Sequence, residues 1–177
     1  MPRTARLEVD PAVPTLPRTL ADLAELDCDA LLALYRQGST PAISTVVGDL
    51  RGRMLAVRGA RGLLFRMLRA FAGWRFFPWR GKSFTARSAT EGEGINRVFS
   101  DRKPSRWFRF ATRIEPSRAG AFDAFQLDYD NPDNPFFIRA IKDEIREVSP
   151  GLYLGQAYVV ISGTPRLALY FGLQLQG

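Results

Sequence analysis

The sequence predicts a single mainly-β (α+β) domain: an antiparallel up-and-down β-barrel or curled sheet of about six to eight strands, led in by helices and interrupted by one. Three observations predict it. From Trp79 onward the apolar residues recur with period two. Compact turn segments separate these runs: Thr90-Glu91-Gly92-Glu93-Gly94, Asp101-Arg102-Lys103-Pro104, Pro116-Ser117-Arg118-Ala119-Gly120 and Ser162-Gly163-Thr164-Pro165. No strand–helix–strand alternation of the parallel kind is present, so consecutive hairpins are the simplest connection.

Strands are expected at about 80–88, 94–100, 106–114, 121–129, 152–161 and 165–174. The last has the clearest two faces, with Leu167, Leu169, Phe171, Leu173 and Leu175 alternating against Ala168, Tyr170, Gly172 and Gln174. Ahead of the strands lies a helical lead-in over 18–78. Thr19 is a good N-cap, Leu20, Leu23, Leu26, Leu31, Leu34 and Tyr35 follow helical spacing, and Asp27 or Asp29 is placed to divide the run into two short helices. Residues 48–62 are glycine-rich and ambiguous. A further helix is expected over 63–72, where Leu64, Met67, Leu68 and Phe71 form one stripe. An interrupting helix is expected at 135–147: Asn134-Pro135 supplies a cap and a first-turn proline, and Ile138, Ile141 and Ile145 lie three and four apart. It would cover an open end or edge. Residues 1–17 form a Pro-rich arm, leaving 18–177 as the domain.

Composition removes many chemistries. The 177 residues contain no histidine and one cysteine, Cys28. Histidine triads, histidine-ligated zinc or haem, and cysteine metal clusters are excluded, and proton transfer must come from Asp, Glu, Tyr, Lys or water. No cofactor or metal is expected. The single thiol and the lack of an apolar signal core favour a cytoplasmic location. The net charge of +7 is concentrated: residues 51–113 carry 16 Arg and Lys against Glu91, Glu93 and Asp101, a local excess of +13. Such a field attracts anions. Packing, an anionic membrane surface and nucleic acid stand as readings of the basic, aromatic stretch 61–82, but no RNA-binding signature is present and nucleic acid is the least favoured.

Three fragments also resemble a known family. Gly48-Asp49-Leu50-Arg51-Gly52 has the spacing of a G-x-W-x-G motif, with Leu50 where the signature has tryptophan. Trp79-Arg80-Gly81-Lys82-Ser83-Phe84 and the closing hairpin, Gly151–Gly155 with Leu169–Leu173, match further segments. Together they resemble the lipocalin-like GXWXG family of unknown function, and the resemblance implies a calycin-type barrel without assigning catalytic residues.

The expected partner is therefore a hydrophobic or amphipathic small molecule inside the barrel, with an anionic head group near Arg80, Arg97 or Arg109. The candidate pocket lining is Trp79, Arg80, Arg97, Arg109, Gln126, Asp128, Tyr158 and Tyr170. It rests on the polar strand faces turning inward, and period two fixes alternation without fixing direction. Arg109, between Phe108 and Phe110, is suited to a carboxylate. Whether the chain is an enzyme is left open: a cofactor-independent cyclase or isomerase would use Tyr158, Tyr170, Asp128 or an arginine as its polar assistant. Asp128-Tyr129-Asp130-Asn131-Pro132-Asp133-Asn134 reads as a turn rather than a calcium loop, lacking the EF-hand glycine and glutamate. Asp143, Glu144 and Glu147, with Lys142 and Arg146, read as the solvated face of the interrupting helix.

Overall fold

A computed structural model describes residues 16–57 and 79–175. Two short helices open the described chain, α1 (Leu20–Ala24) and α2 (Cys28–Gln37), followed by a 3-10 turn at Ile43–Thr45. Thr19 and Asp22 close a capping box on α1. Asp27 is the residue that divides the two helices, its carboxylate accepting from the amides of Asp29 and Ala30 at 3.0 and 2.9 Å.

Eight strands then form a closed antiparallel barrel in sequence order: β1 (Gly48–Val57), β2 (Trp79–Ala86), β3 (Glu91–Val98), β4 (Ser105–Pro116), β5 (Asp123–Asp128), β6 (Ile141–Ser149), β7 (Leu152–Ile161) and β8 (Thr164–Leu175). The ring closes where β1 pairs with β8, Leu50 opposite Leu175 and Gly52 opposite Leu173. Closure leaves no unpaired sheet edge. The two strands beyond the six expected ones are β1, from the ambiguous glycine-rich stretch, and β6. The helix expected at 63–72 and the arm before Leu16 lie outside the described residues.

The expected helix at 135–147 is corrected. Only α3 (Phe136–Arg139) is helical, and Ile141–Ser149 is strand β6. Ile138, Ile141 and Ile145 satisfy helical spacing, but Ile141 and Ile145 also satisfy period two. Pairing with both β5 and β7 supplies two hydrogen-bonded ladders that a surface helix would forgo. The acidic and basic residues of this segment are accordingly not a solvated face, since Asp143, Glu144 and Arg146 are buried.

Two apolar cores share the barrel wall. The interior holds Leu50, Phe84, Phe110, Phe125, Leu127, Tyr129, Ile145, Tyr153, Phe171 and Leu173, with Ile43 and Val46 from the 3-10 turn joining it at one end. Rings lie over glycines of the adjacent strand: a Cβ at Gly94 would collide with its partner Phe110, and one at Gly155 with its partner Phe171. The second core lies outside the wall, where Leu20, Leu23, Leu31, Leu34 and Tyr35 pack on Val148, Leu152, Leu154 and Tyr170. Over β6, β7 and β8 both faces are therefore buried.

One carboxylate pins the outer layer. Glu144, fully buried on the outer face of β6, accepts from Tyr35 Oη (3.0 Å), Ser117 Oγ (2.7 Å), the Arg118 amide and Nη1 (3.1 Å each) and Gln126 Nε2 (3.1 Å). Helix α2 and the β4–β5 turn are thus tied to the barrel through a single group. Tyr35→Phe removes one bond to a buried charged acceptor and is expected to cost about 1.5–3 kcal/mol, read as a lower urea midpoint with an unchanged slope.

Candidate functional site

Antiparallel alternation places the starts of β2, β4, β6 and β8 and the ends of β1, β3, β5 and β7 at one end of the barrel, here called the upper end. Just below it a polar cluster interrupts the apolar interior. Lys82 enters from β2 and Asp143 from β6, strands that stand opposite each other in a ring of eight. Lys82 Nζ meets Asp143 Oδ2 at 3.1 Å, with both side chains at most 6% exposed. The ion pair therefore crosses the lumen. Lys82 also donates to Asn96 Oδ1 on β3 at 2.9 Å and to the Tyr129 hydroxyl at the end of β5. Trp79 Nε1 donates to Asn96 Oδ1 at 3.0 Å, and Asn96 Nδ2 donates to Tyr129 Oη and to the Phe108 carbonyl at 3.2 and 3.3 Å. Tyr129 Oη donates to Asp143 Oδ2 at 3.2 Å.

Rings surround the ammonium. Lys82 Nζ lies 5.1–5.4 Å from the centroids of Trp79, Phe110, Tyr129 and Phe171, within the range where ring faces attract a cation. Desolvation nevertheless dominates the titration of all three ionisable members. It lowers the Lys82 pKa against the opposing pull of Asp143, and it raises Asp143 against the pull of Lys82. Tyr129 is raised well above the usual phenol value by burial first and by the Asp143 charge second.

The cluster divides the interior. Below it Phe84, Phe125, Leu127, Tyr153 and Leu173 are buried. Around and above it, toward the upper end, the inward-facing apolar residues Trp79, Phe108, Ile141, Ala157 and Leu169 are only partly buried, as is Phe137 of α3. At the lower end Ala86 and Ile114 are also partly buried, but there Ile43 and Val46 are buried against the interior as a plug. These aromatic and aliphatic side chains stand over the polar cluster as over a floor.

Of the eight residues expected to line a pocket, Trp79 faces the interior. The others belong to the opposite face or to the rim, which corrects the expected lining. Arg80 and Arg109 are exposed. Arg97 is buried, 3.5 Å from Asp49 and donating to the Asp101 carbonyl at 3.2 Å. Gln126 belongs to the Glu144 network; Tyr158 donates to Gln156 Oε1 at 2.6 Å; Tyr170 packs under the helices. Asp128 pairs with Arg113 at 3.1 Å and with Lys142, and these contacts hold its carboxyl below the usual range despite partial burial. The physical reason is the second core: helices cover the outer face, so polar residues there are buried without facing the lumen. Sequence reasoning missed Asn96, Tyr129 and Asp143, and it considered Lys82 only beside Arg80, as a cation for an anionic ligand at the barrel mouth. The signal was present for three of the four, which share period two with inward apolar residues: Lys82 with Phe84, Tyr129 with Phe125 and Leu127, and Asp143 with Ile141 and Ile145. Among the described residues no group of three or more His, Cys, Asp or Glu is placed to hold a metal, and no helix is long and apolar enough to cross a membrane.

Breaking the lumen pair and replacing it should differ sharply. Lys82→Met strands a buried carboxylate and is expected to cost about 3–5 kcal/mol, whereas the double variant Lys82→Met/Asp143→Leu is expected to recover most of that loss. Urea denaturation of the two variants and the parent checks this.

The comparisons with known proteins bear on the architecture. No family model matches the chain, and no curated protein matches it. A crystal structure of a protein from Thermomonospora curvata is similar over 89% of this chain and 93% of that one, with a TM-score of 0.59 and 19% sequence identity. At that identity the similarity concerns the fold, and it is consistent with the closed eight-stranded barrel.

Proposed function

We propose that the barrel binds a hydrophobic small molecule in its upper vestibule, in the manner of a calycin-like carrier. The observation that carries this reading is the ring of inward-facing apolar side chains that stays partly exposed above the polar floor: Trp79, Phe108, Phe137, Ile141, Ala157 and Leu169. Apolar walls with a few convergent polar groups are the usual composition of a small-molecule site. The resemblance to the lipocalin-like GXWXG family agrees with this reading. Ala157→Trp fills the vestibule from β7. It is expected to weaken binding of a neutral apolar dye such as Nile red about tenfold or more, while circular dichroism shows the barrel intact. Equal dye affinity in parent and variant would place the dye elsewhere and overturn the reading.

A second reading, cofactor-independent isomerisation or cyclisation, is favoured by one observation. An ammonium, a phenol and a carboxylate lie within hydrogen-bonding reach of one another at the vestibule floor. Burial lowers the pKa of Lys82 and raises that of Asp143, which narrows the gap in proton affinity between the two groups.

The rim supports an anionic membrane as the source of the ligand. Phe99, Trp107 and Phe136 are 47%, 39% and 78% exposed at the upper end, with Phe99 and Trp107 edge-to-face at 5.1 Å, and exposed Arg102, Lys103 and Arg106 lie in or beside the same β3–β4 hairpin. Aromatics among cations suit a negatively charged interface. The protein is expected to sediment with phosphatidylglycerol vesicles and not with phosphatidylcholine vesicles. The double variant Phe99→Ser/Phe136→Ser should sediment less.

A further inference from the structure

The valences of the floor cluster define what kind of head group it can take. Lys82 has three N–H donors, and all three are used, on Asn96 Oδ1, Tyr129 Oη and Asp143 Oδ2. Asn96 is also filled: its carbonyl accepts from Lys82 and Trp79, and its amide donates to Tyr129 and Phe108. The Tyr129 hydroxyl accepts twice and donates once to Asp143 Oδ2. The indole N–H of Trp79 is spent on Asn96. One atom is left. Asp143 Oδ1 is buried and has no hydrogen-bond partner, on a side chain only 6% exposed. An unpaired buried carboxylate oxygen costs free energy, so the site is energetically incomplete as it stands.

The unfilled position is an acceptor, and the cluster keeps no uncommitted donor. An anionic head group would meet a carboxylate oxygen with every ammonium proton already committed. A cationic head group would be attracted by Asp143 but repelled by Lys82, which already neutralises it. A neutral hydrogen-bond donor meets neither penalty. We infer that the ligand of this barrel is an apolar molecule bearing a neutral hydroxyl, an alcohol or phenol, which donates to Asp143 Oδ1. This rests on the vestibule reading above and reverses the anionic head group expected from the sequence. Of the cations invoked for that head group, Arg80 and Arg109 are exposed residues outside the cluster, and Arg97 is held beside Asp49 and on the Asp101 carbonyl.

A ladder of matched probes on the wild-type protein tests it: 1-decanol, decyl methyl ether and decanoate, measured by displacement of Nile red. Decanol is expected to bind about tenfold or more tightly than the ether, as a hydrogen bond to a charged acceptor implies, and decanoate more weakly than decanol. Comparable affinities for all three, or tighter binding of decanoate, would overturn the hydroxyl assignment while leaving the vestibule standing. Failure of Nile red and every probe to bind would instead overturn the vestibule and the hydroxyl assignment together. Asp143→Asn supplies a second readout. An amide there turns its carbonyl oxygen toward Lys82 and its NH2 toward the open position, so preference should swing from decanol to the acceptor 2-decanone. Persistence of the decanol preference in a folded Asp143→Asn protein would also count against the assignment.

Discussion

The hydrogen-bonded ion pair between Lys82 and Asp143 organises the molecule because it links strands on opposite sides of the ring. The hydrogen-bonded ladders join only neighbouring strands, and the other contacts that reach across the interior, such as Trp79 on Phe171 and Phe84 on Phe125, are between rings. This contact alone among the ion pairs described spans the lumen, and it gathers Asn96, Tyr129 and Trp79 about it. Its energetic yield is modest, since desolvation of both ions opposes their attraction. Its structural yield is larger. By filling the middle of the lumen with polar groups wrapped in four rings, it separates a buried lower core from a partly buried upper one. A wholly apolar interior has no such boundary.

Burial on both faces of β6, β7 and β8 sets the second constraint. A half-exposed strand declares its inner face by alternation, but a strand covered by helices carries large residues on both faces. Glu144 shows how the outer face is managed. Five donors converge on its carboxylate, so a charge that looks like surface in the sequence becomes the anchor of the helical layer. Lys82 and Asp143 do the equivalent inside. The two networks are built from adjacent residues of β6 pointing in opposite directions, Asp143 inward and Glu144 outward.

The barrel was legible in the sequence wherever strands end in compact turns, and six of the eight strands follow the expected segments closely. Strand β6 was illegible because Ile138, Ile141 and Ile145 satisfy two periods at once, and a preceding Asn-Pro supplied a convincing helix start. Its pairing with β5 and β7, which no local pattern encodes, decides between them. Losing β6 also hid Asp143, which on a helix is one more exposed acid. The polar residues of the other strands were correctly seen to share a face; the direction of that face depends on where α1 and α2 dock. Lys82 could have been placed inside the barrel, since it shares period two with Phe84 and Ala86 rather than with the exposed Thr85.

Trp79 occupies an unusual position in this arrangement. Its ring lies where a Cβ on Gly52 would collide with it, it meets Phe171 edge-on at 5.8 Å, and its N–H is fastened to Asn96. It therefore touches the buried core with one edge and the partly buried upper end with another. Indole emission shifts with the polarity around the ring, so in a chain whose other two tryptophans are replaced, Trp79 becomes an optical gauge of the polarity above the floor.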